Sequence, residues 1–109
     1  MLTETQIAAA KKQTKYVDRD HHEHDDCVRL AYEWLDAQKK TVGPTKQHWA
    51  LKHVIEKWAG RYVSQSDVEV AAHMHPEIKG SYPFYNISSR LTKPSSKRLE
   101  GIPEARTQD

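Results

Sequence analysis

Leu51, Val54, Ile55, Trp58 and Tyr62 recur at intervals of three and four residues, the spacing that lines side chains along one narrow stripe of a helix. The pattern predicts a strongly amphipathic helix over about Gln47–Tyr62. Such a helix must bury its apolar face against something, and a chain of 109 residues can build one modest core but not two. One structural domain follows. Trp49 falls on the far side of this helix, beside His53, Glu56 and Gly60. A large aromatic there asks for a second contact, either the N-terminal helices or another molecule.

A second helix is predicted between about His24 and Lys40. Cys27, Leu30, Ala31 and Trp34 share a face flanked by Val28 and Leu35, and Arg29, Glu33, Asp36 and Lys40 lie opposite. Acidic residues at its start, and Lys39 and Lys40 at its end, suit the helix dipole. Thr3 and Gln6 have capping-box spacing for a helix over Thr3–Tyr16. Ser66 and Glu69 have the same spacing for a helix running to about Met74, which His75-Pro76 ends. Gly43-Pro44 marks the turn over Thr41–Thr45, and Gly80 marks another. Pro83 suits the first turn of a further helix to Leu91 or Thr92, and Ser95–Ile102 reads as a strand or arm anchored by Leu99 and Ile102. The fold class is therefore mainly α, a helical domain of about five helices with room for a short C-terminal β wing.

Charge is distributed unevenly. Asp18, Asp20, Glu23, Asp25 and Asp26 are opposed only by Arg19, whereas Arg90, Lys93, Lys97 and Arg98 dominate the C-terminal part. The formal net charge of +2 is too small to argue for nucleic acid by its size. Cys27 is the single cysteine, so no internal disulfide can form, and no apolar run is long enough for a signal peptide or a spanning helix. A cytoplasmic protein without a membrane partner is expected.

Several residues could carry chemistry. His21, His22, His24 and Cys27, with His73 and His75, supply the ligand types that zinc takes, but paired cysteines are missing and Cys27 fits the apolar stripe. No metal or other cofactor is expected. Cys27 with a histidine satisfies the requirement for an activated nucleophile only in the most general sense. No Gly-rich phosphate loop, His-Glu-x-x-His or Gly-x-Ser-x-Gly is present, so no enzymatic activity is expected.

In the predicted final helix, Phe84, Ile87, Ser88 and Leu91 point one way, and Tyr85, Asn86, Ser89, Arg90 and Lys93 point elsewhere. Asparagine can read adenine and arginine can read guanine with paired hydrogen bonds, while Ser, Tyr and Lys contact phosphates. The order helix, capped helix, turn, helix and basic tail over Gln47–Ile102 resembles a winged-helix domain. The resemblance implies a supporting helix at Val68–Met74, a recognition helix at Pro83–Thr92 and a wing at Ser95–Ile102. Residues 1–46 then form a helical segment packed on a winged-helix-like unit at 47–102, with a flexible tail at 103–109. It also implies a small regulator or accessory protein of double-stranded DNA. Asn86, Ser89 and Arg90 would face the groove, with Tyr85 beside them, and Lys93, Lys97 and Arg98 would neutralise phosphates. A homodimer would supply two half-sites. The alternative is a protein-interaction module, an inhibitor or adaptor, contacting its partner through Tyr32, Trp49, His53 and the acidic His-rich segment.

Overall fold

Thr3 and Ser64 each begin a helix by the same reciprocal device. The Thr3 hydroxyl accepts from the Gln6 N–H at 3.2 Å and the Gln6 side chain accepts from the Thr3 N–H at 2.9 Å. The Ser64 hydroxyl accepts from the Asp67 N–H at 3.1 Å and Asp67 accepts from the Ser64 N–H at 3.0 Å. Each box satisfies two N–H groups that the helix leaves without partners. In the computed structural model, which describes residues 2–14, 24–44 and 50–105, these caps open α1 (Glu4–Gln13) and α4 (Gln65–Met74). The box at the start of α4 thus sits two residues earlier than the expected Ser66 and Glu69. Glu69 accepts from the Gln65 side chain instead, and Asp67, the residue that closes the box, is buried.

Between them lie α2 (Asp25–Ala37) and α3 (Leu51–Ala59). His24 caps α2 through its ring, with Nδ1 accepting from the Asp26 N–H. Cys27, Val28, Leu30, Ala31, Trp34 and Leu35 of α2 are all buried, and α2 contacts α1, α3 and α4. Each aliphatic side chain so buried contributes on the order of 1.5–3 kcal/mol. Val28 and Leu35, flanking the predicted face, are drawn inside because partners approach from more than one side.

The central amphipathic helix is present but shorter than its pattern. Leu51, Ile55, Trp58 and Ala59 are buried, while Val54 stays 37% exposed. Gly60 adopts φ 69°, a left-handed conformation natural to glycine, and its N–H donates to the Glu56 carbonyl at 2.7 Å. The helix stops there, which leaves Tyr62 outside the stripe and partly exposed. The expected start at Gln47 lies outside the described residues.

No fifth α-helix forms over Pro83–Thr92. Pro83 stands in the turn of a hairpin, β1 (Gly80–Ser81) against β2 (Phe84–Tyr85), with Gly80 opposite Tyr85 and Ser81 opposite Phe84. Beyond the hairpin the chain stays extended because residues after α2 supply its partners. The Thr41 N–H donates to the Asn86 carbonyl, the Ser88 N–H donates to the Lys39 carbonyl, and Lys40 bridges Ile87. Phe84, Tyr85 and Ile87 also suit an extended, half-buried backbone. The expected wing is likewise a 3-10 turn, Ser96–Leu99, although Leu99 and Ile102 do anchor the segment in the core. The architecture is mainly helical, with one small antiparallel sheet among the described residues. No helix in those residues is long and apolar enough to cross a membrane.

The two ends of the described chain meet on α2. Asp26, fully buried, accepts from Arg29 at 2.6 Å and from the Glu104 N–H at 3.2 Å, and Arg29 Nε donates to the Leu2 carbonyl. Arg61 pairs with Glu104 at 2.8 Å. Glu104, in the segment expected to form a tail, is thus tied to both α2 and the loop after α3.

Gly80 tests the hairpin. It has φ 110°, and a Cβ there would collide with the Phe84 carbonyl oxygen, whereas a Cβ on Gly43 would meet open space. Gly80→Ala should therefore cost more than about 1 kcal/mol. Gly43→Ala should stay within about 0.5 kcal/mol of the parent in urea unfolding followed by circular dichroism. Equal midpoints for the two variants would contradict the hairpin geometry.

Candidate functional site

The extended segment after the hairpin crosses α2 and α3, and three side chains hold it there. Gln38, at the C-terminus of α2, donates to the Thr92 carbonyl at 2.7 Å and accepts from the Thr92 N–H at 2.8 Å, pairing with it as a strand neighbour would. Trp58 Nε1 donates to the Pro94 carbonyl at 3.0 Å. Arg98 bonds Glu33 at 3.1 Å and Asp36 at 2.9 Å on the outer side of α2.

The crossing leaves a half-open groove of about 580 Å³ between α3 and residues 91–99. Trp34, Val54 and Trp58 line it from α2 and α3, and Leu91, Pro94 and Leu99 line it from the crossing segment, with Thr92 and Ser96 as polar members of the lining. The two indoles are only 1% and 9% exposed, so neither presents an open ring face for stacking. Lys57 and Lys93 stand at the rim, and no carboxylate lines the groove.

The wider charge pattern follows from sequence. Between Glu77 and Glu100 the chain contains no acidic residue but includes Lys79, Arg90, Lys93, Lys97 and Arg98. Arg98 is neutralised by Glu33 and Asp36; Lys79, Arg90, Lys93 and Lys97 are exposed, and none forms an ion pair with another described residue. Lys57 on α3 is in the same condition.

The residues expected to read DNA are separated by the absence of their helix. Tyr85 and Asn86 point inward, at 3% and 6% exposure. Burial raises the Tyr85 hydroxyl pKa well above its ordinary value. Asn86 is a structural knot: its carbonyl oxygen accepts from the Lys79 N–H at 2.6 Å, and its amide donates to the carbonyls of Glu77 and Thr41. Ser89, Arg90, Lys93 and Lys97 remain on the surface, the first three along irregular chain and Lys97 in the 3-10 turn, and not as one helix face. Of the seven, only Lys93 lines the groove.

The alternative contact residues are also dispersed. Tyr32 packs on the His75 ring, centroids 5.0 Å apart, and His53 is exposed beside Glu56. Trp49 lies outside the described residues, as do His21 and His22. Among the described residues no three metal-ligating side chains converge. His73 bonds Gln13 at 2.8 Å. His75 accepts at Nδ1 from the Glu77 N–H, which leaves Nε2–H to donate to Asp36 at 2.8 Å. Cys27 lies in the core as its stripe predicts, accepting from Arg61 at 2.7 Å, and burial pushes its thiol pKa up to about 11. A thiol so placed is neutral at pH 7 and a poor nucleophile.

Sequence reasoning missed Val54, Lys57, Leu91 and Pro94 as site residues. Their signal was the position of Val54 and Lys57 at the edge of the α3 stripe. Only the crossing of a distant extended segment turns that edge into a groove.

Asp36 provides a test of how this segment is fastened. Its hydrogen bond from His75, and then its bonds to Arg98, hold its carboxyl below its ordinary value of 3.8 despite some desolvation. A carboxylate with a depressed folded pKa stabilises the fold fully above the unfolded value, and that contribution is lost as pH falls through the folded value. Asp36→Asn should lower stability at pH 6 and lose less on acidification below pH 4 than the parent does, by thermal melting at successive pH values. Parallel acid limbs for the two proteins would show that the His75–Asp36–Arg98 cluster holds nothing in place.

Comparison with known proteins finds no matching family model, no matching curated protein and no matching solved structure.

Proposed function

We propose that this chain is a small protein-interaction module, an inhibitor or adaptor of the cytoplasm, whose contact surface is the groove between α3 and residues 91–99. The observation that carries this reading is the combination of a mainly apolar lining with an open, lysine-bearing rim. An open apolar groove of a few hundred cubic ångströms is the kind of site into which a partner inserts anchor side chains. Cys27 and His75 do not line the groove: Cys27 is buried against Arg61, and His75 spends both ring nitrogens on Glu77 and Asp36. A single buried cysteine that is part of no disulfide suits a reducing compartment.

The DNA-binding reading needs a recognition helix that presents Asn86 and Arg90 together. Its exposed cations could still neutralise phosphates, so it stands as the rival to be tested alongside. Immobilised parent and Val54→Asp chains are offered to lysate from the source cells, and the bound proteins are identified and remeasured in purified form. A purified partner should bind the parent and bind Val54→Asp about tenfold or more weakly. Arg90→Ala should bind it as the parent does. Equal affinity for Val54→Asp would remove the groove from the interface. Steeply salt-dependent binding to random duplex DNA, lost with Arg90→Ala and Lys97→Ala together, would put the nucleic-acid reading in its place.

A further inference from the structure

Charge at the rim narrows what the groove can hold. Resting on the interaction-module reading, we infer that the groove takes a short acidic segment of a partner protein, with one or two apolar side chains against its lining and carboxylates against Lys57 and Lys93.

Both ends of the lined surface support this occupant. Lys57 belongs to α3 and Lys93 to the crossing segment, so the groove is bordered by a lysine from each of the two elements that form it. Neither has an ion-pair partner among the described residues, and no acidic residue lines the cavity. Arg90 and Lys97 extend the positive strip along the same segment, which carries no carboxylate from Ile78 to Leu99. A positive rim around a mainly apolar lining disfavours basic or neutral partners, because their approach would desolvate lysines without compensation, and it speeds the encounter with acidic ones.

The same observations weigh against single-stranded nucleic acid. Recognition of unpaired bases relies on exposed aromatic faces for stacking. Trp34 and Trp58 are nearly inaccessible, and the Trp58 indole N–H is already spent on the Pro94 carbonyl. What the groove offers beside its lysines is a mainly aliphatic and indole lining with Thr92 and Ser96, which suits aliphatic or phenyl side chains more than stacked bases.

The experiment selects short random linear peptides, displayed on phage, against the full-length chain. The winners are synthesised with a fluorescent label and measured by anisotropy, and their footprint is mapped by amide chemical shifts. The expected winners carry Asp or Glu flanking apolar residues and shift amides at 54–58 and 91–97. They should bind Lys57→Glu with Lys93→Glu at least about tenfold more weakly, and recover when both positions are Arg. Circular dichroism establishes that each variant is folded as the parent is. Winners that occupy the groove but lack acidic residues, and tolerate the charge reversal, would overturn this inference and leave the interaction-module reading standing. No enrichment, or a footprint away from α3, would overturn both. A labelled single-stranded oligonucleotide that displaces the peptides and gives the same footprint would reassign the groove to nucleic acid.

Discussion

The chain after α4 forms little regular structure, so its backbone polar groups must be satisfied one at a time, by side chains or by distant backbone. Gln38 and Asn86 carry much of that task. Gln38 gives Thr92 both a donor and an acceptor, and Asn86 gathers the backbone of Thr41, Glu77 and Lys79 around one amide. Both amides are buried, so a lost partner costs the desolvation of a polar group, about 1–3 kcal/mol, and not merely one modest bond. The path of the C-terminal third is therefore dictated by where α2 ends and where residues 39–41 run.

That dependence explains the site. Trp58 donates to Pro94, Gln38 grips Thr92 two residues earlier, and Leu99 enters the core five residues later. Between these fixed points the segment and α3 border the groove, with Trp34 and Trp58 in its lining. Electrostatics reinforce the arrangement selectively. Arg98 is neutralised by Glu33 and Asp36, so it acts as a fastener of the crossing, whereas Lys93 and Lys57 are exposed and have no such partner among the described residues.

The helical half was legible in sequence because its signals are local. Thr3 and Gln6, the Cys27–Leu35 stripe and the Leu51, Ile55, Trp58 spacing each lie within a few residues of one another, and each appears in the fold. Even there the Ser66 and Glu69 pair misled by two positions, since Ser64 and Asp67 offer the same chemistry and burial of Val63 and Val68 places the cap. The C-terminal half was misread for the opposite reason. Phe84, Ile87 and Leu91 have helical spacing, but their segment finds its hydrogen bonds at Lys39 and Thr41, some forty-five residues away. Local period cannot report such a partner. Leu99 and Ile102 were read correctly as anchors because an isolated apolar residue in a basic stretch has few other places to go.

Removing the recognition helix changes the meaning of the C-terminal charge. On a helix, Asn86 and Arg90 would be four residues and one turn apart, presented together with the geometry that reading a base requires. On the extended segment Asn86 is consumed inside the fold and Arg90 stands outside it, so base reading loses one of its two polar readers. The lysines lose nothing by the change, because a rim charge needs only position and solvent, not a rigid fork of donors. What survives is a positive border without a polar reading head, set around a mainly apolar lining. On the interaction-module proposal, that combination would discriminate partners by net charge and by the fit of one or two anchors.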